Sequence, residues 1–580
     1  MSGSSAAEHD GERAARTSEG AASRHPARRW LVVALLVHLA LALSFWHYRT
    51  DDTFIFLQYA RHLAGGAGPS FNAGEPVFGF SSPLWFLVLA GLARLGLGSL
   101  AAAKLAALAA SLGSIAALWL FARQRLDARW TAVATVVWAV NAWLVRWTAA
   151  AMETALVLAL VLAGLAAWER ERREPGRPPW SAVLLGLLVL ARPEGALLAG
   201  LAVLVRFATG GARGRRQAVV SVAIMAGLVV PWLVYAARTM GSLLPVTGAA
   251  KGTVGIALGI DPLVDVARIV ATTTVVEATF LAGGLVAALR GGALRASAAH
   301  LLPVAWMLAL PLFYAATGFD VLSRYALPIV PVVLVYGLVA ACWLPAGRAW
   351  RLVAACATAT GVLLLAVVVG RPDGGRVGPA AVASAPTLVI VFAVALGAGW
   401  LLAPRLERRR ALAVAIAVLV LNGAVLVRVV QPHTSAFGRG VAGCFQAMGE
   451  WFAVHTPPDA EVAIADIGAF GYYSGRRVLD LAGLVSPEMI PLVDRLSIQE
   501  IAAGLAFAPL ARPDYLIDRH STPGRLDGAM NGVFEQLPLE PCAIQGLGVR
   551  APETIYYTGY RLHWERYRPP PADGGGVEAR

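Results

Sequence analysis

The sequence predicts an all-α polytopic membrane protein of about 11–13 transmembrane helices with a C-terminal α/β extracytoplasmic domain. Three observations lead there. Hydrophobic residues fill 57% of the 580 positions and charged residues only 15%, a balance outside the range of soluble domains. Apolar runs of about 20 residues, the length that crosses the hydrocarbon as a helix, recur along the chain. Short basic clusters separate them, as cytoplasmic loops require. That placement accounts for the net charge of +13 without a nucleic-acid partner. The composition excludes a soluble enzyme and a fibrous or disordered chain, but not a transporter.

Residues 1–30 are polar, rich in Ser, Ala and Arg, and read as a disordered cytoplasmic tail. The run 31–49 is an uncleaved first span, since no small-residue cleavage site follows it. The membrane domain, 31–430, continues with candidates at 83–98, 100–122, 130–148, 152–168, 180–207, 217–240, 265–290, 298–316, 325–344, 350–370, 385–403 and 411–430. With the N-terminus inside, the basic clusters around Arg123, Arg170, Arg213, Arg290, Arg348 and Arg408 all become cytoplasmic under two adjustments. The run 83–98 must not fully cross. The run 180–207 must turn back at Ala191-Arg192-Pro193-Glu194-Gly195, where a proline and two charges break the helix. Three segments then lie outside: 50–82, 241–263 and everything after 431.

The first outer segment opens with Tyr48-Arg49-Thr50-Asp51-Asp52-Thr53-Phe54-Ile55. Coupling between adjacent carboxylates near hydrocarbon disfavours ionising both, which suits a general base. The same pair also suits the start of an interfacial helix, with Asp52 as its cap.

The rest of the loop carries a more specific signal. Asp51-Asp52-Thr53-Phe54-Ile55, Arg61-x-Leu63-Ala64-x-Gly66-x-Gly68, Phe71-Asn72-x-Gly74-Glu75-Pro76-Val77 and Gly79-Phe80-Ser81-Ser82-Pro83-Leu84-Trp85 follow one another. Together they resemble the first extracytoplasmic loop of GT-C-fold, polyprenyl-phosphate-dependent glycosyltransferases, above all the terminal arabinofuranosyltransferase branch. Weaker matches are Met152-Glu153-Thr154, the break at Arg192, Gly241-Ser242-Leu243-Leu244-Pro245 with Lys251, Gly318-Phe319-Asp320 with Ser323-Arg324-Tyr325, and Asp480-Leu481-Ala482-Gly483-Leu484. The resemblance covers residues 48–490.

The resemblance implies an inverting transfer of a sugar from a lipid monophosphate to an acceptor hydroxyl, with the base in the first outer loop, at Asp51 and Asp52. The leaving polyprenyl phosphate needs cations around it, and Arg192, Lys251 and Arg324 occupy outward-facing turns. Each has an alternative. Arg192 also suits a pair with Glu194 that seals the turn, and Arg324 a snorkelling span end. Lys251 breaks the inside preference of basic residues. Glu153 is either the partner of Arg146 or a pocket carboxylate. Glu194 and Trp85 complete the pocket candidates; Trp143, Trp147 and Trp232 are read as interfacial anchors. Glu277 sits mid-span and is left unassigned.

Residues 431–580 are more polar and suffice for one small domain. A helix over 444–455 precedes a strand over 460–466, a glycine-rich turn and a second strand over 478–481. Asp466, ending the first strand, reads as structural. Cys444 and Cys542 are candidates for a disulfide on the outer side, and Cys342 and Cys356 are packed thiols. No metal-ligand motif is present. Some GT-C enzymes use a divalent metal, and no cofactor is required by this sequence.

The expected protein is therefore a glycosyltransferase of a bacterial inner membrane, N-terminus cytoplasmic and C-terminal domain extracytoplasmic. Its partners are the lipid bilayer, a polyprenyl-phosphate-sugar donor, arabinofuranose or a related pentose among the sugars, and a cell-envelope glycan or glycolipid acceptor, with no nucleic acid. The rival is a transporter or flippase of a lipid-linked saccharide, with Glu277 and Glu153 as relays. Against it stand the outer domain of about 150 residues and the lack of an inverted repeat in segment lengths.

Overall fold

The computed structural model describes residues 24–174, 176–246, 248, 258–290, 298–369, 385–545 and 554–569. Lys251 and most of the N-terminal tail lie outside the described residues. The first helix, α1 (Arg24–Ser44), begins before the apolar run, so the membrane-proximal end of the tail is helical rather than irregular.

The membrane domain continues with α2 (Asp51–Ala64), α3 (Pro83–Arg94), α4 (Leu100–Ala122), α5 (Ala128–Ala139), α6 (Ala142–Ala149), α7 (Thr154–Arg173), α8 (Trp180–Ala191), α9 (Gly195–Thr209) and α10 (Gly211–Met240). Then follow α11 (Asp261–Arg290), α12 (Ala298–Thr317), α13 (Ser323–Trp343), α14 (Arg348–Val369), α15 (Ala385–Glu407) and α16 (Arg410–His455). Among the described residues eight helices are long and apolar enough to cross a membrane, nine when α5 and α6, bent by 46°, count as one span. The other expected runs fall in helices that are short or charged at one end. With 12 residues, α3 is about 18 Å long, well short of a bilayer core of about 30 Å.

The turn expected at Arg192 is present and reverses the chain. Arg192, Pro193 and Glu194 separate α8 from α9, and the far ends of the two helices meet, Arg206 Nη2 donating to Ser181 Oγ at 3.3 Å. The helix α7 runs alongside. Glu153, at its start, faces Arg192; Glu171, near its end, accepts from Arg206 at 2.8 Å and from the Ser181 backbone N–H at 2.7 Å.

The last membrane helix, α16, spans 46 residues, about 69 Å of helix, with two π-helical turns at Leu426–Val430 and Val441–Gln446. That exceeds a bilayer, so its end belongs to the C-terminal domain. There the Cys444–Cys542 disulfide, with 5.2 Å between Cα atoms, joins it to the sheet. The sheet comprises β1 (Glu461–Ile464), β2 (Arg477–Asp480), β3 (Tyr515–His520), β4 (Phe534–Gln536), β5 (Cys542–Gln545) and β6 (Thr554–Leu562). Strand order is β2-β1-β3-β6-β4, with β5 also on β6. β1 pairs β2 and β3 in parallel, while β6 is antiparallel to all its partners. A short helix, α17 (Gly468–Ser474), connects β1 to β2 and packs on α2.

Candidate functional site

The helix α2 opens after Thr50, whose extended backbone starts it, and two acidic residues in the first turn complement the positive helix end. Residues Thr53 to Ala60 are all buried, so α2 is wedged between membrane helices and the C-terminal domain. Three groups fix its start. Lys104, on α4 and 3% exposed, donates to the carbonyls of Trp46 and Tyr48, each at 2.5 Å, and of Ala149 at 3.2 Å. Thr53 Oγ1 donates to the Ala150 carbonyl at 2.6 Å. Arg49 donates to Gln446 of α16 at 2.7 Å.

The two aspartates diverge. Asp51 turns to the C-terminal domain, where its carboxylate accepts the N–H groups of Gly468 (2.9 Å) and Ala469 (2.7 Å) at the start of α17. A Cβ on Gly468 would stand 2.1 Å from the Asp51 carbonyl oxygen, so only glycine permits this approach. Burial, then the nearby Asp466, push the Asp51 carboxyl up to about 7, against the pull of the two N–H donors. Asp466 is itself held by Tyr557 OH at 2.6 Å and Arg519 at 3.3 Å, a structural arrangement.

Asp52 faces the other way, 2.8 Å from Arg324 Nη2, into a cavity of about 390 Å³. Its lining brings together Asp52, Glu153, Arg192, Glu194 and Arg324 with the aromatic residues Phe56, Phe80, Tyr314, Phe319 and Tyr325. Arg324 donates to Tyr325 OH at 3.1 Å and lies 5.6 Å from the Trp147 ring centre. Arg192 stacks on Tyr325 at 4.4 Å and lies 3.7 Å from Glu194 and 3.8 Å from Glu153. Glu194 also accepts from Tyr314 OH at 3.1 Å. Buried atoms remain without hydrogen-bond partners among the described residues: Nε of Arg192 and Arg324, and one carboxylate oxygen each of Glu153 and Glu194. Buried polar atoms without partners are costly, and the four residues that carry them all contribute to the cavity lining.

Several expectations change. Glu153 does not pair with Arg146, which instead approaches His433 at 2.9 Å. Trp85 does not line the cavity; it is 1% exposed and buried in the core, its backbone N–H bound to the Ser82 side chain. Trp147, read as an anchor, is the indole beside Arg324, held by its N–H to Ser323 at 2.9 Å. Lys251 lies outside the described residues, although Gly248, three positions earlier, lines the cavity. Glu277 is 1% exposed beside a kink at Thr274, and both carboxylate oxygens lack partners among the described residues. No three His, Cys, Asp or Glu residues among those described converge in a group that could hold a metal ion.

The motifs that follow α2 hold the C-terminal domain. Asn72 bonds both backbone groups of Val478, at 3.0 and 2.9 Å, continuing the exposed edge of β2, and Glu75 pairs with Arg477 at 2.7 Å. Gly79 leaves room for the Leu484 carbonyl, 2.6 Å from where a Cβ would stand. Asp480, fully buried at the end of β2, accepts the N–H groups of Ala482 and Val485, both at 2.9 Å. The turn it shapes carries Leu484 to the cavity wall.

The fold is of the GT-C class. ArnT from Cupriavidus metallidurans, in its crystal structure bound to undecaprenyl phosphate, superposes with a TM-score of 0.60 at 16% identity, covering 91% of this chain and 98% of its own. The archaeal oligosaccharyltransferase AglB from Archaeoglobus fulgidus, solved with an inhibitory peptide and a dolichol-phosphate, gives a TM-score of 0.54 at 12% identity, over 85% of this chain and 69% of its own. The family described as "Domain of unknown function (DUF8728)" matches residues 436–567. No curated protein matches the chain in sequence.

Proposed function

We propose that the chain is an inverting glycosyltransferase that moves a sugar from a polyprenyl-phosphate carrier to an acceptor hydroxyl at the outer face of a bacterial inner membrane. The observation that carries this reading is the Asp52–Arg324 pair in a cavity that also holds Arg192, within a fold shared with a protein crystallised on undecaprenyl phosphate.

Asp52 is the base. It takes the proton of the acceptor hydroxyl as that oxygen attacks C1 of the donor sugar and the bond from C1 to the phosphate oxygen breaks. The products are the glycosylated acceptor and a polyprenyl phosphate. Charge grows on the departing phosphate, and Arg324 and Arg192, both in the cavity lining, stabilise it. The described lining holds two arginines against three carboxylates, so Lys251 supplies the cation that a phosphate still needs. Asp51 positions Asp52 by clamping the C-terminal domain. Leu244 and Phe313, exposed at the cavity, offer an apolar path to the prenyl chain.

A furanose pentose such as arabinofuranose as the transferred sugar, and an envelope glycan or glycolipid as acceptor, rest on the first-loop motifs. Purified protein is incubated with a panel of synthetic polyprenyl-phosphate sugars and acceptor glycans, and the product's anomeric configuration is read by NMR. Inverted product from a pentose donor supports the reading; retained configuration, or movement of the donor across proteoliposomes without transfer, refutes it.

A further inference from the structure

A second cavity lies at the other end of the helical domain. Glu153 and Glu171 are 18 positions apart on one line of helix, so this end stands about 27 Å from the donor site along α7. The cavity, about 150 Å³, is formed where the end of α7 meets the α9–α10 junction. That is room for several waters or a phosphate group. Arg172, Arg206 and Arg213 line it with a single carboxylate, Glu171.

The carboxylate is already committed. Glu171 accepts from Arg206 at 2.8 Å and from Ser181 Oγ and N–H, both at 2.7 Å, and Arg206 also donates to Ser221 at 3.0 Å. This buried network fixes the cavity floor and leaves Arg172 and Arg213 in excess on its wall. Arg172 lies over the Trp168 ring at 5.2 Å. Its nearest carboxylate, Glu169 at 3.8 Å, is shared with Arg173 at 2.8 Å and Arg125 at 3.8 Å, so it neutralises little of the Arg172 charge. Arg213 is exposed and has no ion pair among the described residues. Trp168 also lines the cavity, 1% exposed, and its indole N–H has no acceptor among the described residues. The charge in excess on the cavity wall is thus positive, the requirement of an oxyanion.

The neighbouring surface identifies the source of that anion. Leu204 and Phe207 on α9 and Val219 and Val220 on α10, within about two turns of the cavity, are 63%, 53%, 66% and 41% exposed. A phosphate seated among the arginines would have apolar side chains beside it along which acyl chains can lie. Basic pockets between membrane helices favour anionic phospholipid headgroups in this way. We infer that this cavity is a structural binding site for the phosphate headgroup of an anionic glycerophospholipid, separate from the donor site.

The test uses full-length protein in phosphatidylcholine nanodiscs, titrated with phosphatidylglycerol and, separately, with inorganic phosphate. Retained lipid is read by native mass spectrometry and stability by thermal melting. Wild type should retain phosphatidylglycerol and melt higher with it, and Arg172→Gln with Arg213→Gln should weaken retention about fivefold per arginine removed. Equal retention by wild type and variant overturns the inference. So does binding of inorganic phosphate without retention of the lipid, which marks a free-phosphate site. If the double variant melts lower in phosphatidylcholine alone, Arg213→Gln, at an exposed position, is read in its place on the same criterion.

Discussion

Asp52 and Arg324, far apart in the chain, meet at 2.8 Å on the wall of the cavity of about 390 Å³. The neighbouring Asp51 points away from that wall and caps α17 of the C-terminal domain. The two side chains thus meet different parts of the fold, and the consequences of replacing them differ.

Asp51→Ala removes an acceptor from two buried N–H groups and should cost about 1–3 kcal/mol. Gly468→Ala should act in the same direction by clashing with the same turn. Thermal melting of the purified variants checks this. An unchanged melting temperature in both contradicts the clamp.

The pH dependence of stability has a definite sign. Burial raises the Asp51 and Asp480 carboxyls from 3.8 to about 7 in the fold, so between those values the folded protein holds more protons than the unfolded chain. Stability is therefore greatest at low pH in this window and falls as pH rises through about 7. Melting curves across pH 4 to 8 should show that slope, and Asp480→Asn should flatten it. A slope of opposite sign counts against the buried assignment.

Lys104 holds the entry to α2 and the exit of α6 through three carbonyls. Lys104→Met leaves those acceptors unmet and lets Asp52 and Glu153 drift from the cavity. Turnover should fall while the donor KM stays near wild type. Loss of melting temperature with unchanged kcat would mean that Lys104 only stabilises.

The Cys444–Cys542 disulfide spans a sequence separation of 98 residues, for which chain entropy gives about 4–5 kcal/mol. Reduction, or Cys444→Ser, should lower the melting temperature of the C-terminal domain. Identical curves under reducing and oxidising conditions would show that the bond adds nothing to stability.

How far these features could be read beforehand depended on whether the physics was local. The reversal at Arg192 was legible because a proline and two charges inside an apolar run break a membrane helix wherever they fall, and Ser181 and Arg206 meet at its base. The gathering of Asp52, Glu153, Arg192 and Arg324 was legible through motif resemblance. Asp51 and Asp52, by contrast, are equivalent in sequence. What separates them is a glycine more than 400 positions later. Trp85 and Trp147 both lie near span ends, and only tertiary packing puts Trp147 beside Arg324 and Trp85 in the core. Among the described residues eight or nine helices are long and apolar enough to cross, and of the other expected runs 83–98 and 180–207 are short or broken, as the basic clusters required, while 152–168 lies in a helix charged at one end.

The central claim is tested most directly by sugar transfer from a synthetic polyprenyl-phosphate pentose, comparing wild type with Asp52→Asn and Asp51→Asn at equal folded concentration. Asp52→Asn should lose about 10²–10⁴-fold in turnover while still binding donor, and Asp51→Asn should keep far more activity. Turnover of Asp52→Asn equal to wild type, or a larger loss at Asp51 than at Asp52, would contradict the account.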